Sequence, residues 1–320
     1  MCGSAIVRKL LNHGYGKESN GGVLLTPNRK ELDLTDFNAV RSWFRVDKPT
    51  IVVFATAKVG GILANSTELV SFLLDNIKIQ TNFIESAWLN VVKRLLFLGS
   101  SCIYPKFSEQ PIREESLLTG PLEKTNEAYA IAKITGIKLC SALRKQHGFD
   151  SICLMPTNLY GPGDNYHLTN SHVLPAFIRR FYEAKKDNYQ EVICWGSGEP
   201  LREFLHSDDL GDASVFALES WDPGGDDAPK NDSGEPLNFL NVGTGKDMKI
   251  STLANLIAKS IGYLGDIIWD ESKPDGTLKK QLDISRLRSM GWEPKINLED
   301  GLDKIIEDFP YQYKSQFLRL

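Results

Sequence analysis

Apolar runs of strand length alternate with stretches whose apolar residues recur at helical spacing along most of this chain. Cys2–Asn12 reads as a helix, Val23–Thr26 as a short strand, and Leu34–Val46 as a helix that Thr35 or Asp36 would cap. A buried strand follows at Thr50–Ala57, then a long helix at Leu69–Asn90 and a strand at Lys93–Gly99. A second long helix at Asn126–His147 leads to a strand at Ser151–Thr157. Strands that are apolar throughout, rather than alternating, are those covered on both faces. The order therefore predicts an α/β chain on a doubly wound parallel sheet with helices on both sides.

The pattern changes after Tyr160. Gly161-Pro162-Gly163-Asp164 is a turn cluster, and polar Asn165–Ser171 leads into a helix at His172–Lys186. Trp221–Pro236, rich in Gly, Pro, Asp and Asn, reads as an enlarged surface loop, and Gly14–Gly22 as a long helix-to-strand loop. A strand at Phe239–Val242, a helix at Ile250–Ile261 and a strand at Asp266–Trp269 complete the series. These shifts predict a larger dinucleotide-binding domain over about residues 1–160, joined by parts of about 203–245. A smaller α/β substrate-binding domain takes about 161–202 and 246–320.

The opening is unusual. A dinucleotide-binding sheet starts with a strand, a Gly-rich turn and a helix, and that strand is central in the order 3-2-1-4-5-6. This chain starts Met1-Cys2-Gly3-Ser4-Ala5-Ile6-Val7, like the last glycine of such a turn entering its helix. Gly3 is either that glycine or an ordinary helix-start glycine. The expectation is that the sequence begins late, as a fragment or with a misplaced start.

Composition narrows the partners. The 320 residues are 42% hydrophobic, enough for one large unit or two unequal domains. A net charge of −4 without long Lys or Arg blocks argues against nucleic acid and against a polybasic membrane contact. The longest apolar runs fall well short of the ~20 residues of a membrane span, and no signal-peptide pattern leads the chain. Cys2, Cys102, Cys140, Cys153 and Cys194 are spread without a CxxC pair, as reduced thiols of a cytoplasmic protein would be.

Tyr129-Ala130-Ile131-Ala132-Lys133 places a phenol and an ammonium on one helix face. A nearby Lys⁺ favours phenolate, so the Tyr129 pKa is expected to fall, easing proton exchange with a carbonyl oxygen. Tyr182 and Lys186 repeat the spacing in a stretch that reads as solvated helix surface. What separates the two is the strand ending in Gly99-Ser100-Ser101-Cys102, because ligands of open α/β sheets bind beyond the carboxyl ends of strands. Ser100 there would hydrogen-bond the same oxygen as Tyr129. Arg29, after the second expected strand, suits the 2′-phosphate of NADPH, where an NAD enzyme would place Asp or Glu.

Several segments together carry a family resemblance. They are Ala55-Thr56-Ala57-Lys58-Val59-Gly60-Gly61-Ile62, Leu98-Gly99-Ser100-Ser101-Cys102-Ile103-Tyr104-Pro105 and Pro156-Thr157-Asn158-Leu159-Tyr160-Gly161-Pro162. Asn170-Ser171-His172-Val173, Trp195-Gly196-Ser197-Gly198, Arg202-Glu203-Phe204 and Lys273-Pro274-Asp275-Gly276-Thr277 extend them. With these the chain resembles the GDP-L-fucose synthases, extended short-chain dehydrogenases with a Rossmann-like NAD(P)-binding fold. The resemblance implies 3,5-epimerisation of a GDP-4-keto-6-deoxy-mannose followed by NADPH reduction at C4. It makes Cys102 the base, His172 the acid, Tyr129 the proton donor of the reduction, and Ser100 and Lys133 its helpers. It assigns cofactor contacts to Gly3, Arg29, Leu98, Gly99, Ser100, Lys133, Pro156, Thr157, Asn158, Leu159 and His172, and substrate contacts to Arg180, Trp195, Arg202 and Asp275. It also implies a homodimer pairing the two long helices, and no metal.

By their types alone, these residues keep plainer readings open. Cys102 would also serve as a buried small hydrophobe, His172 as a structural hydrogen-bonder, Trp195 as core and Asp275 as a turn former. Rival functions are a nucleotide-sugar 4,6-dehydratase or 4-epimerase, or a non-catalytic nucleotide-binding relic. A dehydratase wants an acidic residue where Ser101 and Cys102 stand, and a 4-epimerase needs no second acid–base pair.

Overall fold

The computed structural model describes residues 1–17, 19 and 22–315. Its first half runs α1 (Cys2–Asn12), α2 (Phe37–Asp47), β1 (Ile51–Phe54), α3 (Ile62–Thr67), α4 (Leu69–Leu89), β2 (Arg94–Leu98), α5 (Glu127–His147) and β3 (Ser151–Pro156). The second half runs β4 (Asn158–Tyr160), α6 (Val173–Lys186), β5 (Glu191–Trp195), β6 (Leu201–His206), α7 (Ser207–Ser220), β7 (Phe239–Val242), β8 (Asp247–Lys249), α8 (Ile250–Ile261), β9 (Asp266–Asp270), β10 (Lys279–Lys280), α9 (Ser285–Ser289) and α10 (Leu298–Lys314).

Strands β1, β2, β3 and β7 pair in that order, all parallel. Alternate residues of each strand enter different cores. Leu95, Phe97, Cys153 and Met155 pack under α2, α4 and α5 with Phe44, Phe83, Ile84 and Ile137. Leu96, Leu98, Ile152 and Leu154 pack under α1 and α7 with Ile6, Leu10, Leu210 and Ala213. Two buried faces are why these strands read as unbroken apolar runs. Removing a side chain such as the fully buried Phe97 would cost about 3–5 kcal/mol.

The rest of the chain builds smaller sheets. One orders β10, β6 and β4, with β8 antiparallel on β6; β5 pairs with β9. A third core, with Phe177, Phe181, Leu253, Ile257, Leu302 and Phe309, binds α6, α8 and α10 into one unit.

The parallel sheet and its flanking helices match the expected fold class. Asp36 is the cap of α2, accepting the amides of Asn38 and Ala39 at 2.9 and 3.1 Å. The expected strand at Val23–Thr26 does not form. The segment keeps a strand's alternation, with Val23 81% exposed and Leu24 half-buried, but pairs with no strand. A strand needs a hydrogen-bonded neighbour as well as an alternating pattern, and no described strand pairs with this segment. The expected loop at Gly14–Gly22 lies in part outside the described residues.

Candidate active site

The chemistry gathers at the carboxyl ends of β2 and β3. Beyond Leu98 the chain passes Gly99 and Ser100 into a short turn at Ser101–Ile103. Gly99 is required there, because a Cβ would stand 2.3 Å from the sulfur of Met155 on the neighbouring strand. Ser100 Oγ accepts the amide of Cys102 at 3.4 Å. Helix α5 lays Ala130, Ile134 and Ile137 on the sheet and carries Tyr129 and Lys133 to the same strand end. Lys133 is buried; its Nζ donates to the Leu98 carbonyl at 2.8 Å and stands 4.9 Å from the centre of the Phe97 ring.

The electrostatics of this cluster correct one expectation. Tyr129 does not have a lowered pKa. Burial pushes its phenol well above the ordinary value, and charges on Cys102 and Cys2 push the same way. The Lys133 ammonium does not outweigh this, since its Nζ is turned to Leu98 and lies 5.9 Å from the centre of the Tyr129 ring. Burial also brings Lys133 itself down to about 8. The phenol is therefore neutral and holds a proton that a developing oxyanion can take.

Burial raises the Cys102 thiol, while Lys280, the hydrogen bond to Ser100 and Lys133 pull it back. His172 precedes α6, whose first turn it does not cap with its side chain. Its ring is exposed; packing beside it and the charge of Lys280 both lower its imidazole.

A glycine pair explains why two distant motifs occur together. Gly61 donates its amide to the Asn170 carbonyl at 2.9 Å. A Cβ on Gly61 would lie 2.5 Å from the Ser171 carbonyl oxygen. Only glycine admits the segment that carries His172 this close to the end of β1.

On the side of the smaller sheets, Trp195 is 42% exposed, with Arg180 stacked at 5.2 Å and Lys273 at 5.9 Å from its ring centre. A tryptophan so open, between two cations, is not core. The Asp275 carboxylate accepts the Ser197 amide and hydroxyl, both at 2.8 Å, so it pins the Gly196-Ser197 turn. Arg202 donates to the Asp275 carbonyl at 3.4 Å. Two residues here received no role from the sequence: Glu203, although it stands in one of the family segments, and Lys280, which stands in none. Glu203, fully buried, accepts the amides of Gly245 and Leu282 at 2.7 and 3.0 Å and also that of Thr244, joining β6 to two other segments. Lys280 stands opposite Arg202 in the β10–β6 ladder.

The expected cofactor residue Gly3 stands in the first turn of helix α1. Helix α1 has no side-chain cap and no acidic residue in its first turn, and the space over Gly3 is open. Such a helix start, with free amides and a positive dipole end, suits a pyrophosphate. It lies near Lys133, since Cys2 and Lys133 influence each other's ionisation. Thr157 and Asn158, just past Pro156 and beside Leu159, hook onto the Glu203 carbonyl at 3.3 and 2.9 Å. Arg29 is exposed on a turn, where its charge acts on Asp33. These donors fit a dinucleotide. Among the described residues no cluster of His, Cys, Asp or Glu could hold a metal, and no described helix is long and apolar enough to cross a membrane.

Residues 1–229 match the NAD dependent epimerase/dehydratase family. The chain belongs to this family. Over 304 residues it is 53% identical to GDP-L-fucose synthase 1 of Arabidopsis thaliana, covering 95% of this chain and 88% of the relative. It is 49% identical over 303 residues to the GDP-L-fucose synthase of Escherichia coli, covering 94% and 91%. A crystal structure of a GDP-L-fucose synthetase from Naegleria fowleri bound to NADP superposes with a TM-score of 0.82 at 25% identity, covering 100% of this chain and 93% of that one.

Proposed function

We propose that this chain is a GDP-L-fucose synthase, an NADP-dependent epimerase and reductase of GDP-4-keto-6-deoxy-mannose. The observation that carries the reading is a thiol, a phenol, a buried lysine and a strand-end serine within one cluster, with an imidazole under the same lysine charge as the thiol. Identity near 50% over almost the whole chain to synthases of that name supports the substrate.

The C4 ketone acidifies the hydrogens on C3 and C5. The Cys102 thiolate takes a proton from one face, and His172 returns one to the other. Charge that builds on the C4 oxygen meets the donors of Ser100 and the neutral Tyr129. NADPH, when bound, supplies the hydride to C4. Tyr129 gives its proton to the C4 oxygen, and Lys133, charged below about pH 8, stabilises the phenolate left behind. Gly3, Leu98, Gly99 and Pro156–Leu159 would border the dinucleotide, with Arg29 at the 2′-phosphate. Arg180 and Arg202 suit a diphosphate by charge-assisted bonds, Trp195 offers a stacking face, and Asp275 holds the loop beside them.

The same reading divides the chain into a dinucleotide-binding domain at about 1–160 with parts of 203–245, and a substrate domain from the remainder. It makes the chain a cytoplasmic homodimer. Support comes from five free cysteines and from Leu69, Val70, Leu74 and Ile131, which α4 and α5 leave exposed. The test is to add GDP-4-keto-6-deoxy-mannose and NADPH in D₂O. NADPH oxidation, inverted C3 and C5, and deuterium at both carbons are expected. NADPH oxidation without inversion would reduce the protein to a plain 4-reductase.

A further inference from the structure

We propose that Tyr104 is a positioning residue for Cys102: its phenol ties the turn that carries the thiol to Asn241 in the parallel sheet. The inference rests on the epimerase reading above. The turn holds itself weakly. Ser100 Oγ accepts the Cys102 amide at 3.4 Å, and the amides of Ile103 and Tyr104 reach the carbonyls of Ser100 and Ser101 at 3.3 and 3.4 Å. All three are longer than the roughly 3.0 Å of an ordinary amide hydrogen bond. Ile103 and Tyr104, which follow the thiol, are buried in the core shared with α4 and α5.

The short bond lies at the end of the Tyr104 side chain. Its hydroxyl donates to Asn241 Oδ1 at 2.6 Å, and both residues are buried. Asn241 stands on β7, paired with Met155 of β3. Its Nδ2 donates to the carbonyls of Ile112 and Asp283 at 2.9 and 3.1 Å, so Oδ1 is the atom left to accept. Its amide donates to the buried Glu114 carboxylate at 3.0 Å, and Arg286 pairs with that carboxylate. The acceptor is thus braced from three other segments. Burial, then the charge of Glu114, pushes the Tyr104 phenol well above its ordinary pKa, so the hydroxyl keeps the proton it donates.

The proton-transferring groups have separate mounts. Tyr129 and Lys133 ride on α5, whose Ile134 and Ile137 pack into the core and whose Lys133 is fixed to the Leu98 carbonyl at 2.8 Å. Cys102 rides on the turn. In the epimerase reading its sulfur takes a proton from C3 and another from C5 of one sugar ring, so its place must suit two carbons held by other segments. Loss of the Tyr104 hydroxyl loosens the turn and leaves α5 seated. Proton transfer to sulfur is sensitive to small displacements, because distance and alignment set its barrier. The C4 ketone still meets Tyr129, so inversion slows more than reduction does.

The experiment uses Tyr104→Phe in the full chain, with melting measured first. Asn241→Ser, whose short side chain leaves the phenol without its acceptor, carries the test if Tyr104→Phe does not fold. Without substrate, alkylation of Cys102 by iodoacetamide should run about threefold faster or more in the variant, because the loosened turn admits the reagent. Peptide mass spectrometry reads Cys102 apart from the other cysteines. With GDP-4-keto-6-deoxy-mannose and NADPH in D₂O, deuterium entry at C3 and C5 should fall about tenfold while KM stays within about twofold. A larger share of the 4-reduced product should keep its original C3 and C5 configuration. Exchange and hydride transfer falling in proportion, with that share unchanged, would overturn the proposal and leave Tyr104 as a residue of the fold alone. If the wild-type protein exchanges no deuterium, the substrate reading fails, while alkylation still decides the anchor. An alkylation rate that Tyr104→Phe does not move fails the anchor whatever the substrate.

Discussion

Two helices of this protein carry the same tyrosine–lysine spacing, and only one brings it to the end of a parallel strand. On α5, Lys133 donates to the Leu98 carbonyl at the end of β2, and the charge of Cys102 just beyond that strand acts on Tyr129. On α6, Tyr182 packs against Phe309 and Tyr313 at 5.1 and 5.2 Å, and Lys186 caps the Tyr313 ring at 5.2 Å. Tyr182 is thus half-buried in an aromatic cluster, not on a solvated surface as its polar neighbours suggest. The α6 pair even lines a hollow of about 420 Å³ with Ile306 and Pro310. That hollow contains no strand end, thiol or imidazole. A phenol and an ammonium on one face therefore become an acid–base device only where a third segment supplies the atom they serve.

The comparison can be tested by removing the same groups from both helices. Tyr129→Phe should lower kcat about 10³-fold, as loss of a general acid does, while Tyr182→Phe leaves it within about twofold; NADPH absorbance reads both. Cys102→Ser should cut deuterium exchange at C3 by about 10²-fold or more yet spare reduction of the uninverted ketone, with the product sugar identified by NMR.

The pH profile is a finer test. With Lys133 near 8 against the ordinary 10.5, reduction should decline as pH rises through about 8, and Lys133→Arg should carry the decline to higher pH. Stability moves oppositely. Between about pH 8 and 10.5 the unfolded chain binds more protons at this site than the folded one. The cost of burying the ammonium is therefore full below pH 8 and relieved as pH rises through that window. Lys186→Met marks the small end, with melting temperature within about two degrees of wild type.

Legibility followed the range of the interaction. Helices α1, α4 and α5 and strands β2 and β3 were readable to within a residue or two, because each is a local period of apolar side chains. Val23–Thr26 was misread because a strand requires a partner as well as a pattern. The Ser100, Cys102, Tyr129, Lys133 and His172 positions were legible from motifs; Glu203 stood in one without a readable role, and Lys280 in none. Each lies in a polar segment whose meaning depends on what packs opposite it.

By itself the sequence determined the alternation of strands and helices, the face shared by Tyr129 and Lys133, and the free thiol beyond β2. Those are properties of neighbouring residues, set by backbone geometry over a few turns. Only the tertiary structure decided the charge states. Whether Tyr129 is a phenol, whether Lys133 titrates near 8 and which cations act on Cys102 depend on burial by side chains from distant segments. Desolvation and Coulomb interactions sum over everything nearby in space, and distance along the chain does not enter that sum.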